Sequence, residues 1–454
     1  MSFRAKLVAS VLALAVSAVA VGGAQAQSIA QALTTAYDHA PDLQAALLNA
    51  KASAENIALA EAGKRPTIGA SLSGNYNWSI INSNFNDSTS LTTGLSYNQT
   101  IFDNYKTEAQ IEAARAGADL AEYQIRNTEQ TVLLAVVQAY MAVYSGRQLV
   151  ALRQENSSFY SAQLQSSRDR LEVGEGTRID VAQAEARLAQ GDAAYRAALS
   201  NLEISQATFQ RYVGAAPQNL EPGHNFARLI PHSLPTAIAE AEVGHPAILM
   251  SKAAIRAAQA TSDGAKAEFG PKATINGSVG SKTTGPSRAP TDGLSGTLGF
   301  QISVPIYAGG AIGASVRKAN IEQIKSEVDA MSAYDQIRES VISAWAGIQS
   351  ADAQIVAANS AVKAGRTVVD GVIQERDLGT RTTLDVLNAQ AELTTARETL
   401  INASSNKVIA TFSLLAAMGH LTAADLGLNV QIKSAVRYTQ AVDDVWAELR
   451  SVTE

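Results

Sequence analysis

Gly174-Glu175-Gly176-Thr177-Arg178-Ile179-Asp180-Val181 and Gly379-Thr380-Arg381-Thr382-Thr383-Leu384-Asp385-Val386 share the pattern Gly-x-x-Thr-x-x-Asp-Val. They stand 205 positions apart (379 minus 174). The same offset carries Pro41 onto Pro246, Pro66 onto Pro271, Tyr140 onto Trp345 and Gly214 onto Gly419. An offset this constant marks a tandem duplication of one unit of about 190 residues, far longer than the period of a solenoid repeat. Within each motif, Thr-x-x-Asp before an apolar run is a helix-capping box. The preceding glycine suits the left-handed residue that ends a helix. Each motif therefore reads as a turn between two helices.

Proline shows how long those helices can be. All 11 prolines lie from Pro41 to Pro305, and none falls between Pro66 and Pro217. The spacing predicts helices over Asp103–Leu171 and Arg178–Tyr212, repeated as Ala311–Arg376 and Thr383–Met418. The longer member of each pair would extend about 100 Å. A single further helix is expected to open each unit, near Ser28–Gly63 and Ser233–Phe269.

Ahead of each long helix the hydrophobic period changes from 3.6 to 2. Ile68, Ala70, Leu72, Tyr76, Trp78 and Ile80 alternate with Thr, Gly, Ser and Asn. After a polar loop expected over Asn82–Ser90, Leu91, Leu95, Tyr97 and Ile101 share the apolar face of a returning strand. The second unit repeats this with Ala273, Ile275 and Val279, a Gly285–Gly293 loop, and Leu298, Phe300, Ile302 and Val304. The opposite face is small and uncharged. Such strands suit a transmembrane β-barrel, apolar outward and polar toward a lumen. Tyr76, Trp78, Tyr97, Phe102 and Tyr307 are expected as membrane-interface aromatics.

The first residues read as a secretory signal. Arg4 and Lys6 precede an apolar stretch, and Ala24-Gln25-Ala26 fits a cleavage site, giving a segment 1–26. Without it the formal charge is 34 minus 42, or −8. That balance argues against a nucleic-acid partner. The chain has no cysteine, and its five histidines are scattered. Thiolate metal sites are excluded, and no histidine pair has metal-ligand spacing. No cofactor is expected, and no constellation of an enzyme stands out. The Gly309-Gly310-x-x-Gly313 run fits neither a dinucleotide nor a P-loop fingerprint and reads as a strand-to-helix bend.

Four strands cannot close a barrel, since the smallest single-chain barrels have eight. An open sheet in hydrocarbon would leave unpaired backbone groups at several kcal/mol each. Neighbouring chains must therefore pair edge to edge around an axis. The sequence by itself permits two, three or four copies.

The chain resembles the TolC-like outer-membrane efflux proteins of Gram-negative bacteria. The resemblance is carried by the duplication, by Ile101-Phe102-Asp103 and Pro305-Ile306-Tyr307-Ala308-Gly309-Gly310, and above all by the run from Leu378 to Leu387. It implies an α+β membrane channel-tunnel: a homotrimer closing a 12-stranded barrel, with long coiled-coil helices forming an α-helical barrel across the periplasm. It implies two repeats, 27–220 and 233–423, a linker 221–232 and a C-terminal segment 424–454 that together form an equatorial belt. Tyr438 and Trp446 would pack there. The implied partners are outer-membrane lipid, a periplasmic adaptor and an inner-membrane ABC or RND-type transporter. The implied function is a passive exit duct for efflux or type I secretion.

The resemblance also assigns roles at the periplasmic tip. Gly174, Thr177, Gly379 and Thr382 would form the tip turns. Asp385 would line the aperture, where three copies form an acidic ring whose members raise each other's pKa. The position one turn on, acidic in the family, is Asn388 here. Arg381 and Asp180 match a latch between the helix pairs. Arg376 replaces a latch tyrosine. A non-conducting coiled-coil stalk or adhesin is the competing reading; it explains the helices but not the polar strand faces.

Overall fold

The computed structural model describes residues 27–221, 223, 226–285 and 291–442. The expected signal segment 1–26 and Trp446 lie outside the described residues.

The duplication holds at the level of single residues. Helix α3 (Lys106–Glu172) and helix α7 (Ala311–Asp377) both have 67 residues, and both their ends are offset by 205. Helix α4 (Arg178–Val213) and helix α8 (Thr383–Met418) both have 36 and keep the same offset. At 1.5 Å per residue α3 and α7 each run about 100 Å. Identical lengths follow from identical stop signals. Gly174 and Gly379 take φ of 82° and 79°, and Gly214 and Gly419 take 79° and 86°.

The opening helix of each unit is two helices, not one. Helices α1 (Ile29–His39) and α2 (Pro41–Glu61) meet at Ala40, whose ψ is 110°. Helices α5 (Leu234–Gly244) and α6 (Pro246–Ala267) meet likewise at His245, with ψ of 129°. The proline ring clashes with helical geometry in the residue before it, so each helix restarts with proline in its first turn.

The strands are longer than the polar loops suggested. Strands β1 (Thr67–Ile81) and β2 (Asn84–Phe102) remain paired up to Ile81 opposite Asn84. Only Asn82 and Ser83 turn the chain, both with positive φ (50° and 63°). That is the twist a two-residue hairpin needs, and asparagine tolerates it. Strands β3 (Lys272–Gly285) and β4 (Thr291–Ser303) pair from Lys272–Ser303 to Thr284–Thr291. The four form one antiparallel sheet in the order β1-β2-β3-β4. Its outer strands, β1 and β4, have no neighbour on their far sides among the described residues.

Both strand-to-helix bends use the same backbone. Asn104 and Tyr105 have φ of 57° and 69°, and their repeat mates Gly309 and Gly310 have 61° and 82°. The Gly-Gly run is thus a bend, with asparagine and tyrosine accepting the left-handed conformation in the other copy.

The helices form one layer. Helix α3 pairs with α4, α7 pairs with α8, and α3 packs on α8 to join the pairs. Nearer the sheet, α2 packs on α3 while α6 packs on both α3 and α7. Helices α4 and α8 stop where they abut the corners between the short helices. A Cβ on Gly214 would lie 2.6 Å from the His39 ring, and one on Gly419 would lie 2.9 Å from His245 Cα.

The principal core sits at mid-height on one face of this layer. It joins Leu33 and Tyr37 of α1, Leu133, Val137 and Tyr140 of α3, Phe209 of α4 and Phe412 of α8. Leu421 and Leu426, after α8, complete it. Polar groups inside it are satisfied. The Tyr140 hydroxyl accepts from Glu221 N–H at 2.8 Å, and burial pushes it up to about 12. Buried Glu129 accepts from Ala423 N–H at 2.5 Å. Residues 423–435 are therefore strapped to α3 and, through Lys433 donating to the Tyr37 carbonyl at 2.8 Å, to α1. Tyr438, on helix α9 (Val436–Val442), donates to Glu55 at 2.6 Å.

Candidate functional site

The end of the helical layer far from the sheet carries the two motif turns. Thr177 N–H and Oγ1 both donate to Asp180 Oδ2 (3.0 and 2.6 Å), and Asp180 N–H donates back to Thr177 Oγ1 at 3.1 Å. Thr382 and Asp385 repeat this at 2.9, 2.8 and 3.2 Å. Each threonine thus caps its helix reciprocally with its aspartate. Glu175 N–H donates to the Arg170 carbonyl and Thr380 N–H to the Glu375 carbonyl, both at 2.9 Å, closing the preceding helices.

One expected contact changes. Arg381 does not pair with Asp180. Its Nε donates to Glu375 Oε2 at 2.9 Å, six positions earlier on the same turn. Asp180 is occupied by Thr177, and the shorter route to Glu375 wins although both side chains line one cleft of about 260 Å³ between the turns. Asp385 is set, within one chain, by its own cap. The Thr382 backbone N–H, with its hydroxyl, holds the Asp385 carboxyl below its ordinary value.

Contacts between the two helix pairs come from Arg376 and Asn388, the positions that depart from the family pattern, and from residues further along the seam. Arg376 is only 8% exposed. Its Nη1 donates to Gln163 Oε1 on α3 at 2.5 Å, while Nη2 holds Asp377 at 2.7 Å. Asn388 accepts from Arg187 of α4 at 2.9 Å. Further along the seam, buried Asn156 of α3 accepts from Gln390 and Thr394 of α8 at 3.2 and 3.0 Å. The joint between pairs mixes these polar contacts with an apolar one, buried Leu387 of α8 clustering with Tyr160, Leu164 and Ala184 of α3 and α4, whereas Val362, Val369 and Leu393 fill the α7–α8 joint. For the stretch around Asn156, the sequence signal is asparagine and glutamine within a helical stripe.

At the other end, one face of the sheet is apolar and bare. Leu294 and Leu298 are 81% and 84% exposed, and Ile68, Leu72, Phe300 and Ile302 are also exposed. Tyr76 and Trp78 lie near the hairpin end, where Trp78 stacks with Phe85 at 6.5 Å. Tyr97 lies opposite Ile68 at the helix end, as does Phe102, with Tyr307 just beyond the sheet. A register shift between Thr100 and Phe102 sets Phe102, not Ile101, opposite Ala273. Trp78 is ten residues from Ile68, about 34 Å along a strand, or about 26 Å in height at a tilt near 40°. That matches the ~25 Å apolar band of an outer-membrane barrel. No helix among the described residues is long and apolar enough to cross a membrane, and no metal-binding cluster occurs among them.

Comparison with known proteins agrees with this geometry. The family described as outer membrane efflux protein matches residues 32–215 and 237–420, one match per repeat. The outer membrane efflux protein BepC of Brucella suis biovar 1 (strain 1330) is 35% identical over 449 residues, covering 98% of this chain and 97% of its own. The outer membrane protein TolC of Escherichia coli (strain K12) is 26% identical over 419 residues, covering 88% and 84%. The crystal structure of CusC has the same fold, with a TM-score of 0.75 at 19% identity, covering 87% of this chain and 92% of CusC.

Proposed function

The chain belongs to the outer membrane efflux protein family, and we propose that three copies of it close into one duct. The protein is an outer-membrane exit duct of efflux or type I secretion systems and extends into the periplasm. Members of the family are channels rather than enzymes. TolC-type homologues work as trimers with periplasmic adaptor proteins and inner-membrane transporters. We infer the same partners for this chain, with the adaptor seated in the helical grooves near the tip, where coiled coils accept further helices.

The observation that carries ring closure is the open sheet, and the number of copies follows the TolC-type homologues. Unpaired β1 and β4 cannot face lipid, because each unsatisfied backbone group there costs several kcal/mol. Pairing β4 of one copy with β1 of the next removes both edges, and three copies supply twelve strands, an even number within the known range. The helices support the same closure. In the layer, α4 and α7 are the free flanks, with α2 beside them nearer the sheet. Helix α7 presents Ile321, Ile324, Val328 and Met331 at heptad spacing, all more than half exposed, and α2 presents Leu59 at 71%. Those stripes gain a partner in a ring. Within it, the tip turns would converge on the axis, and Asp385 of three copies would edge the narrowest passage.

Crosslinking of the detergent-extracted protein should give a three-chain species, and the same preparation should conduct ions in planar bilayers. A monomer that remains soluble without detergent and passes no current would overturn the reading.

A further inference from the structure

The face of the helical layer opposite the principal core holds a groove of about 990 Å³. Helices α3 and α7 wall it and α8 floors it. The groove and core faces meet at border residues such as Ile409 and Ile337 but are otherwise separate. On α8, Asn406, Ala410 and Ser413 line the groove, whereas Phe412, Leu415 and Met418 turn into cores on the other side. On α3, Thr131 and Gln138 line it, whereas Leu133, Val137 and Tyr140 are core.

The trimer fixes which face is inside. Twelve helices spaced about 10 Å apart make a ring about 38 Å across at the helix axes and about 28 Å in bore. The belt of α1, α5 and the C-terminal segment is about one helix, or ~10 Å, thick on each copy. Three such belts would plug the bore, so they lie outside and the groove faces the lumen.

Its chemistry is one-sided. The lining contains one carboxylate, Glu339, and no lysine or arginine. The one histidine, His245, is buried and held down to about 4, so it stays neutral. The other polar lining groups are amides and hydroxyls, Gln138, Gln336, Asn406 and Ser413 among them. Gln130 stands in the wall, 4% exposed, with an Nε2 that has no protein partner. A buried, unpaired amide is costly.

We propose that this groove is a lumenal binding station for cationic solutes rich in hydrogen-bonding groups, which the Glu339 carboxylate attracts and the flanking amides and hydroxyls hold. Three copies would place three such stations, and three carboxylates, at one level of the bore. The inference rests on the trimeric duct and lies well away from the tip.

The test uses the whole channel in planar bilayers with spermine as the probe, in an Asp385→Ala background so that the tip carboxylates do not contribute. Spermine should still reduce the current. Glu339→Gln should raise its half-blocking concentration about five-fold, the worth of one solvent-exposed ion pair. Glu339→Asp should retain block, and Ser343→Lys, at an exposed groove position, should remove it by repulsion. Half-blocking concentrations that ignore both Glu339→Gln and Ser343→Lys overturn the station while leaving the duct intact. Absence of any current overturns both.

Discussion

Arg376 of α7 donates to Gln163 of α3 at 2.5 Å, across 213 positions of sequence. The guanidinium is nearly buried, also holds Asp377, and sits one helical turn above the tip. It does what the neighbouring Arg381 was expected to do: it ties the second helix pair to the first.

Removing this tie should loosen the tip. Arg376→Ala leaves the Gln163 carbonyl without its charged donor, a loss of about 1.5–3 kcal/mol for a hydrogen bond of this kind. Single-channel conductance should rise in Arg376→Ala and in Gln163→Leu. Arg381→Ser breaks only a solvent-exposed pair and should shift thermal stability little. Wild-type conductance in both Arg376→Ala and Gln163→Leu would exclude this pair from closure.

The two capping boxes should be equivalent in energy. Thr177→Ala and Thr382→Ala each remove one reciprocal cap and should cost about 1 kcal/mol, read as a lower denaturant midpoint with faster amide exchange at 178–181 or 383–386. A pH dependence accompanies the second. The folded Asp385 carboxyl lies below its unfolded value of about 3.9, so its contribution is present above that pH and is lost as pH falls through the folded value. Asp385→Asn should flatten the acid limb of the stability curve; an unchanged limb would remove this carboxylate from the cap.

Two histidines at the joint between α8 and the α5–α6 corner should act in opposite directions. His420 is raised chiefly by its hydrogen bond to Asp425, with Glu240 also near. Its contribution is full below the unfolded pKa of about 6.5 and is lost as pH rises through the higher folded value. His245 is lowered to about 4 by burial, so it favours folding above about 6.5 and that support drains away as pH falls toward 4. His420→Ala should therefore destabilise at pH 5.5 but hardly at pH 8.5. Replacing His245 by glutamine should reduce the loss of stability between pH 6.5 and 4. Thermal melts across that range, with the two variants giving parallel curves, would refute the assignment.

The long helices were legible because each is written twice. A break or glycine that merely interrupts one copy is contradicted by the other, so α3 and α7 could be bounded almost to the residue. Pro41 and Pro246 force a break at the residues before them, Ala40 and His245, yet the helix-forming composition on both sides reads as a single helix. The Asn82–Ser90 stretch looked like a loop because serine, threonine and asparagine serve equally well on a polar strand face. Arg376 was seen only as a departure from a family tyrosine. Its partner lies on another helix, and helical periodicity does not say which residue of one helix meets which of another. At Asn388 the sequence shows only a missing charge, because its bond to Arg187 depends on the packing of α4 on α8.

The two raw borders of the four-stranded sheet also constrain how the protein reaches its place. A lone polypeptide would drag bare amides into oil, so membrane entry must await encounter with its siblings. Insertion and association become a single cooperative event, and its rate depends steeply on how many fresh chains share the same compartment.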